Sequence, residues 1–190
     1  MRPPILSRDE RGHAGAERPG RVPTGGNRED MMEAEQIFRL QLVLSFVVVS
    51  LIAKWYVAPR LARLPLYDAL VALIFLHAFR HLGMVFLVPA VVAPSLPSGF
   101  AVPTAYGDLV AGLLALLAIM ALRYRWPLAL GLAWLFNVVG TLDLLNAFYQ
   151  GTRLSVAPHL GSAWYIPTFI VPALIVTHVM IFAMLVKRSR

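Results

Sequence analysis

The chain has no cysteine in its 190 residues. Disulfides, thiolate nucleophiles, Cys-ligated zinc and iron–sulfur clusters on their usual ligands are thereby excluded. Charge is the second shortage. Asp, Glu, Lys and Arg make up 14% of the residues, where a soluble domain carries about 25%. Even this is concentrated at one end: residues 1–30 hold 11 of the 27 charged groups, leaving 16 for the other 160 residues. So little charge cannot cover a water-soluble globule. Catalytic motifs are missing too: there is no phosphate-binding G-x-x-x-x-G-K-[ST], no zinc-binding H-E-x-x-H and no G-x-S-x-G nucleophile elbow. No residue set requires a catalyst, so a non-enzymatic role is expected.

What is present is apolar sequence, 58% of the chain. A helix needs about 20 mostly apolar residues to cross a bilayer, and five stretches qualify: 37–57, 66–92, 104–122, 126–148 and 163–186. Trp and Tyr favour the headgroup region. Trp55, Tyr56, Tyr67, Tyr106, Tyr124, Trp126, Tyr149, Trp164 and Tyr165 all sit at these boundaries, with Trp134 the exception. Pro65 and Pro127 lie where the second and fourth stretches begin, Pro103 precedes the third, and Pro167 and Pro172 kink the first half of the fifth. The expected fold is an all-α integral membrane protein, a bundle of five transmembrane helices at 37–190.

Lys and Arg in short loops set orientation. Counting Lys54, Arg60, Arg63, then none, then Arg123 and Arg125, then Arg153, then Lys187, Arg188 and Arg190 gives 3, 0, 2, 1 and 3. This alternation predicts the N-terminus outside and the C-terminus in the cytoplasm, in a cell (inner, cytoplasmic-type) membrane. The formal charge of +7 is accordingly a topology signal and predicts no nucleic-acid partner. The lipid bilayer is the expected partner, with a second membrane protein or copy of the chain beside it. Residues 1–36 have no apolar h-region and are rich in Arg, Gly and Pro, which reads as a disordered tail; Met31 or Met32, leading an acidic approach to the first helix, is the expected translation start.

Charged groups inside a membrane cost about 2.5–3.5 kcal/mol each on insertion scales, so each needs a reason. The second stretch carries His77, Arg80 and His81. On an α-helix His77, Arg80 and Met84 share a face, with His81 beside them. Arg80 then lies about 4–5 Å to the outer side of the middle, Asp108 about 7–8 Å and Asp143 about 9 Å. Asp68 opens the second stretch and reads as a helix-start charge. The expected ligand-binding cluster in the outer half is therefore Arg80, His81, Asp108, Asp143 and Asn146, with Asp143 holding Arg80 and Arg80 engaging an anionic or carbonyl group. The same Arg–Asp pairing also serves simply to fix helix register.

Three other features bear on function. His77 and His178 reach nearly matching depths on different helices, so an alternative is a haem-binding redox subunit with these two as axial ligands. Asp108, Ala111, Ala115 and Ala118 form a small-residue stripe, which suits an accessory or scaffold subunit meeting a partner there. A lipid-acting enzyme would use His81 as acid–base with Asp108 or Asp143. The segment from Val88 to Pro103 is uncharged and holds four prolines; it is expected to lie along the outer interface and roof the polar cluster, with His159 exposed in the facing loop. No third ligand accompanies His77 and His81, so no metal site is expected.

Arg80, Gly83 and Phe86, followed by the Gly/Ala/Leu-rich segment from Gly107 to Leu117, resemble the pattern of small DoxX-like four-helix membrane proteins. The resemblance covers less than a third of the chain, and the span count differs by one. The leading functional expectation is a small-molecule or lipid binding or transport component with an outward-facing intramembrane polar site.

Overall fold

A computed structural model describes residues 26–188, and the tail residues before them, with the expectations attached to them, lie outside it. Among the described residues the chain is helical without strands, and five helices are long and apolar enough to cross a membrane. Helix α1 runs Gly26–Ile52 and continues through a π-helical turn, Ala53–Val57, into Ala58–Leu61. Residues 26–36, read from sequence as part of a disordered tail, are thus helical. Helix α2 is Leu66–Ala78 and continues as a 3-10 helix, Phe79–Leu87. Helices α3 (Ser98–Arg123), α4 (Ala129–Arg153) and α5 (Val171–Arg188) follow, the last entered through 3-10 turns and a π-helical turn at Ile166–Ile170.

Local chemistry explains most of the boundaries. Pro65, extended at ψ 145°, starts α2, and Asp68 sits in its first turn, where the helix dipole favours an acid. Helices α3 and α4 both end in a Schellman motif. After α3, the Trp126 amide donates to the Ala121 carbonyl at 2.9 Å and the Arg125 amide to Leu122 at 3.3 Å. After α4, Val156 donates to Gly151 at 3.1 Å and Ser155 to Thr152 at 3.4 Å. Arg125 and Ser155 take the left-handed position these turns require, at φ 54° and 48°. The Arg125 guanidinium then sits 5.1 Å from the Tyr67 ring centre, pinning this turn to the start of α2.

Proline punctuation is misleading at one place. Helix α3 begins at Ser98, not after Pro103, and carries Pro103 within its second turn. As the sixth residue, Pro103 forgoes the bond an N–H there would make to the Gly99 carbonyl, a loss confined to the first turn and a half of the helix. In the fifth span the proline effect is as expected from sequence: Pro167 falls in the π-helical turn that leads into α5.

Helices α2, α3, α4 and α5 close a ring, each packed on the next and α5 on α2, while α1 leans on α5 from outside. Small residues permit the close packing. Ala111, Ala115, Ala118 and Ala121 of α3 are wholly buried, and the Gly112 position lies within about 4 Å of α2 backbone at Ala78 and His81. The stripe expected to meet a partner is therefore spent inside the bundle.

Two apolar layers fill the ring. One, at the α3–α4 turn end, includes Leu70, Ile74, Leu122, Phe136 and Ile181. The other, at the α2–α3 loop end, includes Phe86, Val92, Phe100, Val156 and Leu160. The loop 88–97 folds into this second layer: Ala93 N–H donates to the His159 carbonyl at 3.0 Å, Ser162 N–H to Val91 at 2.9 Å, and Ser95 Oγ meets His159 Nδ1 at 2.9 Å. His159, expected to be free at the surface, is half-buried in that junction. Between the two apolar layers lies the polar one.

Candidate functional site

The site is organised by the change of helix type in α2. An α-helix advances 100° per residue, but a 3-10 helix stacks residues three apart in line. From Phe79 onward α2 is 3-10, so Arg80, Gly83 and Phe86 are its buried row, continuing from the buried His77. The α-helical phase expected from sequence would have put Met84 and His81 beside them. Instead His81 turns outward, exposed, with Nδ1 2.9 Å from the Ala78 carbonyl. It takes no part in the cluster around Arg80.

Arg80 is only 3% exposed, and each of its three nitrogens has an acceptor. Nε donates to Asp108 Oδ1 of α3 at 2.8 Å, Nη1 to the Gly140 carbonyl of α4 at 2.9 Å, and Nη2 to Asp143 Oδ2 of α4. The expected pairing of Arg80 with Asp143 is present, and Asp108 joins it from the other side. One guanidinium therefore ties three helices. Asn146, one turn beyond Asp143, is exposed and stands outside. Of the five residues expected in the cluster, the fold brings Arg80, Asp108 and Asp143 together and leaves His81 and Asn146 apart.

Three glycines create the space. A Cβ at Gly83 would collide with the Asp108 carboxylate, and one at Gly107 with the Asp143 carboxylate. At Gly140 it would lie 2.8 Å from His178 Cε1 and 3.0 Å from Arg80 Nη1. Glycine inside a helix costs about 1 kcal/mol relative to alanine, and here each one admits a member of the charged layer. The sequence reading named Gly83 and Gly107 only as part of the DoxX-like pattern, and none of the three as space for the charged groups. Their signal was the adjacency of Gly107 to Asp108 and the spacing of Gly83 and Gly140 from Arg80 and Asp143.

A second polar group abuts the first. His77 Nε2 lies 3.0 Å from Thr177 Oγ1, and His178 Nδ1 lies 2.7 Å from Asn137 Oδ1. Thr177 spends its own hydrogen on the Ala173 or Leu174 carbonyl, so His77 Nε2 is the donor in their contact. Asn137 Nδ2 donates to the His178 carbonyl at 3.2 Å, which turns Oδ1 toward His178 and makes Nδ1 the donor there. Each imidazole thus donates from one nitrogen, and the other, His77 Nδ1 and His178 Nε2, has no partner; a second proton there would have no acceptor, which favours the neutral ring. Their rings are 4.1 Å apart centre to centre and packed with Phe136. That distance is ring contact. A haem would interpose its iron, two iron–nitrogen bonds and the macrocycle between axial imidazoles, and the neighbouring Arg80 cation and Phe136 fill the flanks. The pair expected from sequence does meet, but as a packed hydrogen-bonded unit without room for haem.

On the α2–α3 loop side the charged layer borders a cavity of about 370 Å³, within the range of small-ligand pockets, about 300–1,000 Å³. Its wall is almost wholly apolar, drawn from α1, the end of α2, α3, α4 and the entry to α5, and includes Leu42, Phe86, Phe100, Leu144 and Phe148. Two polar groups face it from α3. Asp108 is one of them, with Oδ1 held by Arg80 and Oδ2 against the Gly83 position. Thr104, one turn earlier, is 5% exposed and its Oγ1 has no hydrogen-bond partner. Arg80 does not line the cavity; it stands behind Asp108. Glu35 and Arg39 of α1, paired at 3.0 Å, border it further out.

Residues 37–186 match a family model described as a domain of unknown function, DUF8737. The chain belongs to this family. The matched segment reaches into all five spanning helices and takes in every member of the charged layer, both buried histidines and Thr104. No curated protein and no solved structure matches the chain.

If the glycines exist to admit charged side chains, Gly83→Ala, Gly107→Ala and Gly140→Ala each destabilise the bundle by about 1–3 kcal/mol through overpacking. Gly131→Ala, whose Cβ meets nothing within 4 Å, gains up to about 1 kcal/mol from helix propensity. Thermal unfolding of the four variants in detergent, followed by circular dichroism, measures the contrast.

Proposed function

We propose that this protein is a multi-pass component of the cell (inner, cytoplasmic-type) membrane that binds, or carries, a small amphiphile or lipid in the cavity between α1, α3, α4 and α5. The observation that carries the reading is the cavity's composition: an apolar chamber ending on one carboxylate edge and one hydroxyl with no partner inside the protein. A chamber with convergent polar groups at its end suits a molecule with an apolar body and a polar head. In this reading Asp108 and Thr104 contact the head, while Arg80 and Asp143 hold Asp108 in place. The apolar outer surface of the bundle, with Leu113, Leu142 and Phe169 each more than half exposed, supports a lipid environment, because soluble monomers rarely expose such extended apolar area.

The orientation proposed is N-terminus outside and C-terminus in the cytoplasm. Lys54, Arg60, Arg63, Arg123, Arg125 and Lys187 gather at one end of the bundle, against Arg39 and Arg153 toward the other, which supports the positive-inside rule. The cavity and the loop 88–97 then belong to the outer half. A scaffold role loses its specific support, since the small-residue face of α3 is already occupied by α2.

Two experiments follow. Native mass spectrometry of protein released from nanodiscs is expected to find a small amphiphile retained by the wild type and lost from Ala147→Phe, which fills the cavity, while circular dichroism stays unchanged. Equal retention in both proteins would contradict the reading. For topology, the cysteine-free chain accepts single reporters: a membrane-impermeant maleimide is expected to label Ser162→Cys in intact spheroplasts and Arg63→Cys only after permeabilisation, and the reverse pattern would invert the orientation.

A further inference from the structure

The charged layer is not balanced. Counted as one guanidinium and two carboxylates, Arg80, Asp108 and Asp143 sum to a formal charge of −1. The nearest other ionisable groups do not correct this. A second proton on His77 or His178 would have no acceptor, and Glu35 and Arg39 at the cavity wall are paired with each other at 3.0 Å and cancel in formal charge. A residual formal charge of −1 remains inside the bundle, where an uncompensated charge is costly. Both acids abut a glycine, Asp108 at Gly83 and Asp143 at Gly107, and Asp143 is not among the residues that line the cavity. Asp108 is the acid that opens onto the cavity.

Chemistry at the cavity end is equally one-sided. A carboxylate only accepts hydrogen bonds, and Thr104 Oγ1, buried and without a partner, accepts as well as donates. The one cation of the cluster, Arg80, lies behind the acids with every nitrogen engaged. A head group at the Asp108 end of the cavity therefore meets an acid and a hydroxyl, and the one cation bordering the cavity among the described residues, Arg39, lies further out, paired with Glu35. An anionic head would be repelled by Asp108, whereas an ammonium would donate to Asp108 and to Thr104 and bring the layer to neutrality.

We propose that the cavity selects a single-chain amphiphile with a cationic ammonium head, seated between Asp108 and Thr104, over one with a carboxylate or phosphate head. This rests on the reading of the cavity as a binding site, and it reverses the head-group polarity that the presence of an intramembrane arginine implies on sequence alone.

The test uses three probes of equal chain length, decylamine, decanol and decanoate, with the full chain in neutral phosphatidylcholine nanodiscs at pH 7. Binding is read by isothermal titration, with Ala147→Phe as the blank for partitioning into lipid. Decylamine is expected to bind at least about tenfold more tightly than decanoate, the worth of a charge-assisted hydrogen bond, with decanol between them. Thr104→Val, which leaves every Arg80 contact in place, is expected to weaken decylamine and leave decanoate unchanged. Asp108→Asn is expected to flatten the order among the three. Decanoate binding as tightly as decylamine, or Thr104→Val leaving decylamine unaffected, would overturn the ammonium assignment while the binding reading stands. No cavity-dependent binding of any of the three probes would overturn both.

Discussion

One guanidinium holds this fold together at its middle. Arg80 reaches from α2 to Asp108 of α3 and to both Asp143 and the Gly140 carbonyl of α4. Breaking a buried ion pair by removing one partner costs about 3–5 kcal/mol, because the survivor is left charged and dry. Such a layer does not add stability over an apolar one of the same shape. It fixes register instead: helices whose surfaces are otherwise Leu, Ala and Val can slide, and three ties to one side chain stop them. The 3-10 segment, the three glycines and the alanine face of α3 all read as consequences of bringing that side chain to that place.

The cavity follows from the same constraint. Phe86, six residues on from Arg80, and Phe100 at the start of α3 pack edge to face with ring centres 5.4 Å apart and form part of the wall. Helix α1 covers that opening from outside, packed on α5 and the turns that lead into it, and is the least buried of the five spans. Trp164 Nε1 donates to Gln41 Oε1 at 2.6 Å and Phe38 packs on the Trp164 ring. The helix least integrated into the ring is therefore the one that separates the cavity from lipid, a disposition that suits a molecule entering from the bilayer.

Much of this was legible in the sequence. Apolar run length found the five spans, and the axial depths of Arg80, Asp108 and Asp143 found the charged layer, because rise per residue is nearly independent of neighbours. Azimuth was not legible. Met84 and His81 were placed on Arg80's face by assuming α-helical phase, and the switch to 3-10 at Phe79 turned the buried row to Gly83 and Phe86. Asn146 was drawn in by its spacing from Asp143, although the cluster closes toward Gly107 and leaves Asn146 outside. His77 and His178 did meet across the bundle, but depth alone could not tell two rings in contact from two rings with a macrocycle between them. Thr104 carried no signal, since a threonine in an apolar helix ordinarily donates to the carbonyl one turn back, as Thr141, Thr168 and Thr177 do. Only the structure shows that this one does not.

The central claim is that the three charges act as one unit. The most direct measurement compares unfolding free energies, in detergent, of Arg80→Met with those of the triple variant Arg80→Met, Asp108→Asn, Asp143→Asn. Arg80→Met alone leaves two acids facing each other and is predicted to lose about 3–5 kcal/mol. The triple variant, with no charge left in the layer, is predicted to recover most of that loss. A triple variant as unstable as the sum of its parts would contradict the account and make the three residues independent.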